Sequence, residues 1–177
     1  MINQLIIKGF KSFVDKSINF NQLNVLTGLN SSGKSTVIQA LQILNKYSRH
    51  FENPLIEGHG DYKELQNPFS SLPFSINAKY GEHGIICYSP QKENNIHTED
   101  FPDLIVISAD RYGPLVSIPL LSDCELGSKG ENVIKCIQVH ENDILDKLIT
   151  HPNSEGDTFL YNLRAWLGTI TPGVQFK

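Results

Sequence analysis

Gly28-Leu29-Asn30-Ser31-Ser32-Gly33-Lys34-Ser35 sets four residues between two glycines and follows the second with a lysine and a hydroxyl. Each position suits the binding of a polyphosphate. Gly28 and Gly33 permit backbone angles that other residues resist, so successive N–H groups can turn inward toward an anion. A helix beginning after Gly33 adds the partial positive charge of its N-terminus. Lys34 is placed to reach the terminal phosphates, Ser35 to offer its hydroxyl to Mg²⁺, and Thr36 to stand near the α-phosphate. The expected ligand is ATP with Mg²⁺. The plain alternative is a Gly/Ser-rich turn capping a helix. A cap, however, does not require lysine at that one position followed by a hydroxyl residue.

The pattern G-x-x-x-x-G-K-[ST] gains weight from its context, an apolar strand before it and an amphipathic helix after it. Leu23-Asn24-Val25-Leu26-Thr27 reads as a short strand running straight into Gly28. Val37, Ala40, Leu41, Leu44 and Tyr47 recur at spacings of three and four and predict a helix from near Gly33 to about Ser48. Upstream, residues 2–8 are rich in β-branched side chains and predict a strand. Residues 10–13 and 17–20 predict its continuation around a turn at Val14-Asp15-Lys16.

The middle of the chain is irregular, with Pro54, Pro68, Pro73, Pro90 and Pro102 and several glycines. Residues 74–79 and 84–88 predict a β-hairpin across residues 80–83, and residues 91–100 a polar surface loop. Leu104-Ile105-Val106-Ile107-Ser108 reads as a strand buried on both faces. Beyond Gly130 the pattern turns helical. Val133, Ile134 and Ile137 predict one helix. Ile144, Leu145, Leu148 and Ile149 predict a second, capped by Asn142 or Asp143. Phe159, Leu160, Leu163, Trp166 and Leu167 predict a third, with Trp166 in the core, broken by Pro172-Gly173. Residues 174–176 resemble the beginning of a strand.

Composition sets bounds. The chain has 177 residues, 40% of them apolar, and a net charge of −4, so no overall basic field marks a nucleic-acid surface. Cys87, Cys124 and Cys136 are far apart and form no C-x-x-C pair, which fits reduced thiols and a cytoplasmic location. No apolar run approaches the ~20 residues of a membrane helix, and no membrane association is expected.

The order and spacing of residues 1–47 resemble the N-terminus of the SMC/RecF/OLD group of ABC-type ATPases. The resemblance rests on Gly9-Phe10-Lys11-Ser12-Phe13-Val14-Asp15-Lys16, Ile18-Asn19-Phe20, and the loop with Asn30 at its third position. Ile107-Ser108-Ala109-Asp110-Arg111-Tyr112-Gly113-Pro114 is similar to a strand and turn of bacterial OLD-like AAA-type ATPases. Residues 127–132 and 162–167 fit the helical region that follows in them. The resemblance implies an α/β fold: a P-loop NTPase of the ABC-type head, with a mixed sheet, an antiparallel β subdomain and the start of a helical subdomain. Residues 1–126 would form the ATPase core and residues 127–177 the helical part. It also implies that Lys11 and Ser12 approach the base or α-phosphate, and that Gln66 acts as a Q-loop residue sensing Mg²⁺. ATP would be sandwiched between two heads of a homodimer or larger assembly, with DNA or a nuclease effector as partner, in anti-phage defence or DNA repair. The signature and the Walker B strand of that group normally follow the helical region, so the resemblance covers an N-terminal half.

Asp110 is a candidate Walker B acid because four apolar residues precede it. Ser108 and Ala109 interrupt that run, and Arg111 stands where an ABC-type enzyme has its catalytic glutamate. The alternative is an Asp-Arg pair anchoring the turn before Gly113-Pro114. Gln66 and Lys11 have plain readings too, as a solvated loop glutamine and an exposed hairpin lysine. Two rival functions stay open: a small-molecule P-loop kinase, and a non-catalytic nucleotide sensor. Against the kinase, Arg49, Arg111 and Arg164 are the only arginines, and they form no lid motif.

Overall fold

The computed structural model describes residues 1–50, 53–91, 100–109, 127 and 129–173. The chain divides into two compact units, Met1–Leu104 and Ile105–Lys177.

The first unit is built on a four-stranded sheet in the order β2-β1-β3-β4. β1 (Ile2–Phe10) pairs antiparallel with β2 (Phe13–Asn19) on one side and with β3 (Ser75–Tyr80) on the other. β3 pairs antiparallel with β4 (Gly84–Tyr88). Among the described residues the sheet is antiparallel throughout, where a mixed sheet was expected. Alternation sets its inner face: Leu5, Ile7, Ile76, Ala78, Ile86 and Tyr88 are buried. The 15-residue helix α1 (Lys34–Ser48) packs on this face through Val37, Ala40, Ile43 and Leu44. Aromatic contacts close the core, with the Phe10 and Phe74 rings 5.0 Å apart and the Tyr47 and Tyr88 rings 5.1 Å apart.

The hairpin turn lies earlier than expected. Phe10 pairs with Phe13, so the two-residue turn is Lys11-Ser12, and Val14, Asp15 and Lys16 run within β2. A one-turn helix, α2 (Tyr62–Leu65), was not expected, although its signal is in the sequence. Asp61 and Glu64 form a capping box: the Asp61 carboxylate accepts from the Lys63 and Glu64 N–H groups, and Glu64 accepts from the Asp61 N–H.

Two expected strands do not form. Residues 23–27 form no strand and pair with none among the described residues, and Leu23 and Val25 are 82% and 76% exposed. Residues 104–108 form no strand either, and alternate between half-buried and exposed. A run that is apolar on both faces forms a ladder only where neighbouring strands complete its hydrogen bonds. The described residues supply none.

The second unit holds α3 (Val133–His140) and α4 (Phe159–Ile170). The helix expected over residues 144–149 is absent. Ile144 bridges Thr158, the Leu145 N–H donates to Asp157, and the Asp146 carboxylate takes the Leu148 N–H. Asp competes in this way for the backbone bonds of a helix, and Pro152 biases the residue before it away from helical angles. Trp166 is 42% exposed rather than core. Its Nε1 donates to Ile149, and its ring meets His151 edge-on. The fully buried residue of α4 is Asn162, whose amide bonds His151, Gly156 and Thr158. No helix among the described residues is long and apolar enough to cross a membrane.

Candidate functional site

The loop at residues 28–33 is held in angles that need its glycines. Gly28 has φ 147° and Gly33, the N-cap of α1, has φ 96°. Ser31 adopts φ 63°, a left-handed conformation that costs a non-glycine residue about 1–2 kcal/mol. Such strain clusters at ligand clamps. Space reinforces the requirement. A Cβ on Gly28 would lie 2.8 Å from Ser32 Oγ, and one on Gly33 would lie 2.5 Å from the Phe13 ring. Phe13 thus ties the β1–β2 hairpin to the start of α1.

The Lys34 ammonium folds back over the loop. It donates to the main-chain oxygens of Leu29 at 2.6 Å and Gly28 at 2.9 Å, and reaches Ser32 Oγ at 3.4 Å. No acidic residue stands in the first turn of α1 to oppose the helix N-terminus.

A second wall comes from the hairpin turn. Lys11, Ser12, Asn30, Ser31, Gly33, Lys34, Ser35 and Thr36 line one cavity of about 350 Å³. The expected loop residues therefore meet Lys11 and Ser12 in one place. Ser32 sits behind the loop against Gly28 and Lys34. Thr36 is buried, while Ser35 is exposed to the cavity. Burial pushes the Lys11 ammonium below the ordinary lysine value. Its Nζ donates to Gln39 of α1 at 2.7 Å. Among the described residues, the lining carries two lysines, hydroxyls and main-chain amides, and no carboxylate. That set attracts a polyanion, and a bound polyphosphate would favour charged Lys11 where burial alone does not.

Gln66 lies elsewhere. Its Oε1 accepts from the Phe74 N–H, and its Nε2 donates to Leu72 and, at 3.4 Å, to Ser70. It is not among the residues lining the cavity. Asp110 and the turn after it fall outside the described residues. The described residues contain no cluster of three His, Cys, Asp or Glu side chains able to hold a metal ion.

Sequence reasoning missed Asn67, which is buried beneath the hairpin turn and donates its amide to the Lys11 carbonyl. No motif marks it, because its partner is distant in sequence.

The family model described as an AAA ATPase domain matches residues 1–164. No curated protein matches the chain. Proteins of this family generally bind ATP with Mg²⁺. With a glycine loop, a lysine and a helix N-terminus converging on one cavity, the chain belongs to the AAA ATPase domain family of P-loop nucleotide-binding proteins.

Proposed function

We propose that the chain binds ATP with Mg²⁺ in the cavity at Lys34 and serves as the N-terminal part of an ABC-type head of the OLD/SMC/RecF-like kind. One observation carries this reading. The hairpin turn Lys11-Ser12 and the phosphate loop face the same cavity, as the resemblance of residues 1–47 to that group anticipates. The loop N–H groups and Lys34 take the β- and γ-phosphates. Lys11 and Ser12 stand on the α-phosphate or base side. The Ser35 hydroxyl on the cavity wall is the hard oxygen donor that Mg²⁺ takes together with phosphate oxygens, so the ion is expected to enter as the nucleotide complex.

The base for water belongs, on this reading, to a Walker B strand of the same head, and the signature of a second head closes over the γ-phosphate. On this reading the working assembly is a homodimer or larger, and nucleotide state controls DNA or a nuclease effector in anti-phage defence or DNA repair. The coding sequence downstream of Lys177 tests it. A signature segment followed by an apolar strand ending in Asp-Glu is expected, and absence of both would overturn the two-head reading. Phosphoryl transfer to a small metabolite would favour a kinase instead.

A further inference from the structure

The turn that carries Lys11 is held in an unfavourable shape from below. Lys11 has φ 50° in a two-residue hairpin connection, where positive φ normally belongs to Gly, Asn or Asp. Both of its main-chain groups are engaged by the end of α2 and the residues just after it. The Lys11 N–H donates to Leu65 at 2.8 Å, and the Lys11 carbonyl accepts from Asn67 Nδ2 at 2.6 Å. The Asn67 N–H donates to Gly9 at 2.8 Å, and Phe10 bridges Gln66. Asn67 itself is 3% exposed, and its Oδ1 accepts from the Phe69 N–H at 2.8 Å. This pairing fixes the amide orientation, because a flipped amide would set donor against donor and acceptor against acceptor.

We infer that Asn67 is a positioning residue for the nucleotide site: its buried amide holds the Lys11 turn in the left-handed conformation that sets the Lys11 ammonium on the phosphate cavity. Asn67 lines no part of that cavity and acts only through Lys11. The inference rests on the ATP-binding reading above and adds a residue to it. Only a side chain with a donor and an acceptor on one planar group satisfies both the Lys11 carbonyl and the Phe69 N–H.

A double-mutant cycle with ATP·Mg²⁺ tests it, read as affinity by calorimetry at several salt concentrations. Lys11→Ala is expected to weaken binding several-fold and to flatten the salt dependence, because one cationic contact is gone. Asn67→Ala is expected to do the same to both quantities, and to add nothing further in the Lys11→Ala background. A purely structural role would leave the salt dependence unchanged and would add its loss in either background; that outcome overturns the inference. If Asn67→Ala does not fold, Asn67→Gln keeps the amide but displaces it, and the same pattern is expected. Lys34→Ala is the control. If it abolishes binding while both the Lys11 and Asn67 variants bind normally, this inference falls and the ATP-binding reading stands. If Lys34→Ala binds normally, both fall.

Discussion

Lys34 Nζ donates to the main-chain oxygen of Leu29 at 2.6 Å and to that of Gly28 at 2.9 Å, which folds the ammonium over the phosphate loop. On the proposed reading, binding pairs the ammonium with a charged phosphate oxygen in place of neutral carbonyls. Ligand should therefore stabilise the fold. At a nucleotide concentration of 100 times Kd the gain is about 2.7 kcal/mol. A thermal shift with ATP·Mg²⁺ in the wild type, and a much smaller one in Lys34→Ala at the same nucleotide concentration, is the expected result.

On the proposed reading Ser35 serves Mg²⁺ rather than the phosphates. Ser35→Ala should leave binding of metal-free ATP close to wild type and remove most of the improvement that Mg²⁺ brings. Titrations with and without Mg²⁺ measure this. An unchanged Mg²⁺ effect would take the metal away from Ser35.

Gly33→Ala should damage stability as well as binding. The new Cβ would meet the Phe13 ring at 2.5 Å and Ser12 Oγ at 3.1 Å, at a φ of 96°. The left-handed angle alone costs about 1–2 kcal/mol, and displacing Phe13 adds to it. Urea unfolding should report a loss of about 2 kcal/mol or more.

The Asp61 cap stiffens the segment that reaches Lys11. Asp61→Ala removes acceptors from the Lys63 and Glu64 N–H groups, a loss of about 0.5–2 kcal/mol for an N-cap. Hydrogen exchange should quicken at the amides of α2 and at the Lys11 N–H, which Leu65 accepts. Unaltered exchange at Lys11 would show that the cap and the hairpin turn are independent.

Alkaline pH should loosen the first unit through Tyr88. Burial pushes its phenol up from the ordinary value, aided by the hydrogen bond it donates to Tyr62 at 3.1 Å and by the Tyr62 and Tyr47 hydroxyls. Burial raises Tyr47 and Tyr80 as well. The unfolded chain loses these protons near pH 10, while the folded chain keeps them. Their stabilising contribution is therefore complete below about pH 10 and is lost as pH rises toward the folded values. Phenolate absorbance should appear together with unfolding for these residues, and Tyr88→Phe should reduce the loss.

Local signals were legible where local forces decide. The 3.6-residue period of Val37, Ala40 and Leu44 predicted α1, and the short apolar stretches at residues 74–79 and 84–88 predicted the β3–β4 hairpin. The phosphate loop was legible because its spacing is its chemistry. Other elements depend on partners the sequence does not display. Residues 23–27 and 104–108 carry strand patterns without a ladder to join among the described residues. Residues 144–149 have a helical period, but Asp146 takes a backbone N–H first, and the Ile144–Thr158 bridge fixes the segment. Asn67 was invisible because its effect on Lys11 spans 56 residues.

The most direct test of the account is calorimetric titration of the chain and of its Lys34→Ala variant with ATP·Mg²⁺. A hydrogen bond to a charged group contributes about 1.5–3 kcal/mol, and each 1.4 kcal/mol is tenfold in affinity. The account predicts saturable binding at one site, weakened about 10- to 100-fold in the variant. No binding by the wild type, or equal binding by Lys34→Ala, would contradict it.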